Sequence, residues 1–93
     1  GMKIKVESMQ SPSSGRDVPN QFIIYTDKGK YFQSYDTIIA FKPSNGDKIQ
    51  LDKYDWKYSA TTSRYRSLFL GEGTQRTLDK IKEGRYELIE LNN

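Results

Sequence analysis

An α+β fold is what this sequence predicts: a small antiparallel sheet of five to six strands, open or barrel-like, with two short helices before the last strand. Three observations carry it. Short β-branched and aromatic runs separated by turn residues fill the first half. Past residue 60 the apolar period lengthens from two to three-and-four. A final strand-like run then follows a glycine, an order that places helices on one face or end of a sheet.

Residues 2–9 alternate, with Met2, Ile4 and Val6 on one face and Lys3, Lys5 and Glu7 on the other, a strand with one wet face. Residues 10–20 hold two prolines, a glycine and three serines and are expected to form a long loop. Residues 21–26 (QFIIYT) and 31–34 (YFQS) flank the turn Asp27-Lys28-Gly29-Lys30 as a hairpin. Residues 37–42 (TIIAFK) and 48–51 (KIQL) flank Pro43-Ser44-Asn45-Gly46-Asp47, where Asn-Gly tolerates the positive φ of a turn. Tyr65, Leu68 and Phe69 then mark the apolar stripe of a first helix, with Ser59, Thr61 or Thr62 as N-cap and Gly71 as its stop. Thr74 is the expected cap of a second helix bearing Leu78 and Ile81, Gly84 ends it, and residues 85–91 close the sheet.

With 93 residues the chain has room for one domain, expected over 2–93, with Gly1 read as an expression scar before the natural start at Met2. Neither cysteine nor histidine occurs, which removes disulfides, thiolate metal sites and the usual general base. No carboxylate pair, nucleophile–base spacing or glycine-rich phosphate loop stands out, so neither an enzyme nor a cofactor or metal site is expected. No apolar run approaches the ~20 residues of a membrane helix, which makes a cytoplasmic protein with no membrane partner the expectation.

Residues 53–76 concentrate the chemistry. Five of the twelve aromatics lie there, and five cations against two acids carry the chain's whole +3 charge. Around the start of the first helix, Tyr58, Ser59, Thr61, Thr62 and Arg64 offer hydroxyls and a guanidinium to an anion beside free backbone N–H groups. Trp56 and Tyr58 would add stacking surfaces, and Lys57, with Arg16 in the long loop, further phosphate contacts. The competing use of the same residues is structural: a threonine or serine capping the helix while Trp56, Tyr65 and Phe69 fill the core. Gln10, Asn20, Gln21 and Gln33 can read base edges or tie the long loop down.

The combination Ser8-Met9-Gln10-Ser11, Ser14-Gly15, Asn20-Gln21-Phe22, Phe32-Gln33-Ser34-Tyr35, Trp56-x-Tyr58-Ser59-x-Thr61-Thr62 and Phe69-Leu70-Gly71 resembles a family of short uncharacterised proteins encoded by bacteriophages and mobile elements of gut bacteria. The resemblance runs from about Ile4 to Leu91; Ala60 replaces a longer, often basic residue, and the turn after Pro43 is longer than usual. It implies a bacterial host cytoplasm and no catalytic residues. Taken together, the expected function is a non-enzymatic nucleic-acid-binding accessory domain. The alternative is a protein-interaction module docking on a host or phage protein, or a component of a particle.

Overall fold

Short turns fold the first five strands into a continuous antiparallel meander, and the computed structural model describes it over residues 3–93. Gly1 and Met2, and with them the expected scar and the first residue of the expected strand, lie outside the described residues. In chain order the elements are β1 (Lys5–Gln10), β2 (Asp17–Thr26), β3 (Gly29–Ser34), β4 (Thr37–Pro43), β5 (Ile49–Asp52), α1 (Ala60–Leu70), α2 (Thr74–Lys82) and β6 (Tyr86–Ile89). The sheet order is β1-β2-β3-β4-β5-β6, an open six-stranded sheet and not a barrel. It is mixed rather than purely antiparallel, because β6 runs parallel to β5 after a crossover through both helices. A parallel neighbour needs such a long connection, and the two helices supply it.

The helices cover one face. Ile23, Phe32, Ala40 and Leu51 form a cross-strand row on that side, and Phe69 of α1 stacks on Phe32 at 5.9 Å between ring centroids. A bulge in β4 sends two consecutive residues, Ile39 and Ala40, into the core. The other face presents Val6, Ile24, Tyr31 and Phe41 in register, with Tyr31 and Phe41 stacked at 4.4 Å and no helix above them.

Several expectations change. The apolar face of the first strand is the exposed one, with Ile4 61% and Val6 58% accessible. The helices pack over β3, β4 and β6 on the opposite side, so β1 contributes only Met9 to the core. The expected 10–20 loop shrinks to residues 11–16, held by Ser11 N–H to the Arg16 carbonyl and by its own serine hydroxyls. Pro19 misled the reading, because prolines are rare inside sheets. It is tolerated because β1 advances two residues (Ser8 to Gln10) while β2 advances five (Phe22 to Asp17), so no ladder N–H is needed there. Leu68 is exposed and Arg66 takes the buried position on α1 instead.

Ser59 is the N-cap of α1, its Oγ accepting from the Thr62 N–H at 3.1 Å, and Gly71 closes the helix at φ 74°. Thr74 is the first residue of α2 rather than its cap, a position taken by Gly73. The Thr74 hydroxyl accepts a hydrogen bond from Arg66 instead. From the short link between α1 and α2, the Glu72 carboxylate receives Lys80 at 2.6 Å, Thr77 at 2.7 Å and Tyr86 at 2.9 Å, fastening α2 to β6. Burial pushes the Glu72 pKa up, but these three donors outweigh it and hold the group below the ordinary glutamate value. The stabilisation is therefore present above the unfolded-chain value and lost as the pH falls through the folded one. Denaturant midpoints measured from neutral to acid pH should show wild type losing more stability than Glu72→Gln.

Asp52 fixes the chain on both sides of the helical crossover. One carboxylate oxygen accepts from the Tyr54 and Asp55 N–H groups at 3.2 and 2.9 Å; the other accepts from the Leu91 N–H at 2.9 Å and the Asn92 amide at 3.1 Å. Asp52→Ala would strand these part-buried donors and should cost about 2 kcal/mol in chemical denaturation.

Candidate functional site

A concavity opens at the start of α1. It is a cleft of about 470 Å³ lined by Ser34, Tyr35, Asp36, Thr37, Ile39, Asp55, Tyr58, Ser59, Thr61 and Thr62. That volume lies within the ~300–1,000 Å³ usual for small-molecule sites. One wall is the two-residue turn between β3 and β4; the other is the segment after β5, held by Asp52.

Four of the predicted residues, Tyr58, Ser59, Thr61 and Thr62, meet here. Tyr58 is 74% exposed. The hydroxyls of Ser59 and Thr62 already have structural partners: Ser59 caps α1, and Thr62 Oγ1 lies 2.9 Å from Ser34 Oγ. Lys57 and Arg64 are exposed but do not line the cleft, and Arg16, on the β1–β2 loop, does not line it either. Trp56 is 6% accessible and belongs to the core, so its ring offers no stacking platform.

Local pairing explains much of the concentrated charge and aromaticity. Lys57 and Arg66 lie 5.3 and 5.0 Å from the Trp56 ring, Arg64 lies 5.8 Å from Tyr65, and Lys53 lies 5.2 Å from Tyr54. Four of the five cations in residues 53–76 thus sit over neighbouring rings, a use worth ~0.5–1 kcal/mol each at exposed sites. Arg66 is fully buried; its guanidinium donates to the Trp56 carbonyl at 2.6 Å and to the Thr74 hydroxyl. Burial lowers its pKa, against the pull of nearby Glu72.

Sequence reasoning missed Tyr35, Asp36 and Asp55. Two acidic side chains line the cleft and no cation does. The available signal was the short gap between two strands at Tyr35-Asp36, which forces both residues into an exposed turn. Tyr35 adopts φ 58°, a left-handed conformation uncommon for a bulky residue, and its N–H donates to the Asn20 carbonyl at 2.6 Å. Gln33 Nε2 donates to the Tyr35 carbonyl at 2.7 Å, so this amide ties down its own turn rather than the β1–β2 loop. Gln21 is wholly buried opposite Ser34, with no partner for its amide among the described residues.

Among the described residues no group of three His, Cys, Asp or Glu side chains could hold a metal ion. None of their helices is long and apolar enough to cross a membrane. Residues 4–86 match the family of unknown function DUF8033. The chain belongs to that family. The DUF8033 match spans β1 to the first residue of β6 and so includes every residue of the cleft. No curated protein and no solved structure matches the chain.

Replacing Tyr35 by glycine removes the left-handed penalty together with the ring. Tyr35→Gly should raise thermal stability by about 0.5–1 kcal/mol while weakening any ligand that uses the cleft wall.

Proposed function

We propose that this DUF8033 domain is a non-enzymatic protein-interaction module that receives a basic side chain of its partner in the cleft at the start of α1. One observation carries the reading: the exposed rings of Tyr35 and Tyr58 line the same cleft as the carboxylates of Asp36 and Asp55, with no lysine or arginine among the lining residues. An ammonium or guanidinium group gains from an aromatic face within ~6 Å and from charge-assisted bonds to carboxylates. A phosphate entering there would meet two like charges. In the phage or mobile-element setting that the sequence resemblance suggests, the partner is a host or phage protein.

Nucleic-acid binding keeps the exposed cations Lys57 and Arg64 and the exposed ring of Tyr58 as its support. It loses Trp56 to the core, and Arg16 lies on another loop.

The two readings separate in one NMR titration at low salt, comparing a short arginine- and lysine-rich peptide with a single-stranded oligonucleotide. The peptide should shift Tyr35, Tyr58 and the amides of Ala60–Thr62, and the double substitution Asp36→Asn with Asp55→Asn should weaken it by about tenfold. An oligonucleotide response at Lys57 and Arg64, with none to the peptide, overturns this proposal in favour of nucleic acid.

A further inference from the structure

We propose that the domain associates with a second copy of itself through an antiparallel β1–β1 contact centred on Val6, extending the six-stranded sheet to twelve. The surface is independent of the cleft. β1 ends the sheet and pairs only with β2, so the outer side of its backbone has no partner strand among the described residues. An unpaired edge of this kind is a template for another strand. Lys5, Val6, Ser8 and Gln10 are exposed along it, and Glu7 is half-buried.

The occupant follows from charge and register. A two-fold axis at Val6 sets each residue opposite the one whose number sums with it to twelve. Lys5 then faces Glu7 of the second copy, Glu7 faces its Lys5, Val6 meets Val6 and Ile4 meets Ser8. No like charges oppose each other. Centring the axis on Lys5 brings two lysines together, and centring it on Glu7 brings two glutamates together. A shift by one residue sets the Ile4–Val6 face against the Lys5–Glu7 face, because side chains alternate along a strand. Of these registers, only the Val6 one satisfies charge and facing together.

Lysines on an edge ordinarily discourage pairing. Here Lys5 Nζ already reaches Glu7 Oε2 of its own strand at 3.4 Å, so the charges within β1 form a neutral pair, with Lys3 lying just before the strand. Directly opposed residues in an antiparallel pair stand ~4.5–5.5 Å apart, closer than the ~6.6 Å between alternate residues of one strand. The same two charges therefore find better-placed partners in the dimer. On the helix-free face the row Phe41, Tyr31, Ile24 and Val6 continues into its symmetry mate, withdrawing the exposed Val6 side chain from water.

Sedimentation velocity from micromolar to near-millimolar protein tests this contact. The mass should rise with concentration toward twice the 10.8 kDa monomer. Lys5→Glu and Glu7→Lys should each move the association midpoint to about tenfold higher concentration, and the double swap should restore it. Amide exchange in β1 of the wild-type protein should slow as concentration rises, a readout that needs no variant to fold. A monomer across the whole range overturns the proposal. So does a dimer indifferent to both single charge reversals, or one that protects β6 instead of β1.

Discussion

The guanidinium of Arg66 is the interaction on which the helical layer depends. It lies fully buried on α1, reaches the Trp56 carbonyl in the segment after β5 and the Thr74 hydroxyl at the head of α2, and packs against the Trp56 ring. No carboxylate forms a salt bridge with it among the described residues, so its charge is stabilised by dipoles, an aromatic face and the longer-range pull of Glu72. Such a group ties three segments together, because losing the Trp56 carbonyl or the Thr74 hydroxyl would leave further N–H donors of a buried cation without acceptors. The cleft lies beside this point: Asp55, Tyr58 and Ser59 belong to the segment between β5 and α1 whose Trp56 carbonyl Arg66 holds.

Charge in this chain is used mostly at short range. Lys53, Lys57 and Arg64 sit over adjacent rings, and Lys80 serves Glu72 and Tyr86. A concentration of cations and aromatics in sequence is therefore compatible with an acidic cleft in space. Apart from Ile39, the residues facing that cleft come from two separated stretches, 34–37 and 55–62, whose combined charge differs in sign from that of the 53–76 stretch.

The strands and helices were legible wherever one physical signal dominated. The period change near residue 60, the Asn45-Gly46 turn and Gly71 at the end of α1 all reappear in the structure. What sequence left hidden depended on tertiary context. The exposure of Ile4 and Val6 is decided by which face the helices choose, and the β1–β2 irregularity makes room for Pro19 inside a strand. The parallel pairing of β6 cannot be read from the apolar alternation of residues 86–89, which suits either direction. Arg66 reads as surface charge beside Arg64 until the Trp56 carbonyl is brought to it. At the cleft, the hydroxyls of Ser59, Thr61 and Thr62 were visible as a group, while Tyr35 and Asp36 came from a turn about two dozen residues upstream.

The parallel placement of β6 also sets an order of assembly. Strands β1 to β5 are joined by neighbouring turns and close loops of low cost, whereas the Asn92 side chain bonds the Ile38 backbone across 54 residues of chain. Asp52 stands at the junction, grasping the start of the crossover with one oxygen and the final residues with the other. The meander pairs through local turns alone, whereas the residues after β6 are tied back to it only through Leu91 and Asn92. Loss of Leu91 and Asn92 would thus leave most of the sheet in place while freeing one carboxylate oxygen of Asp52 beside the cleft.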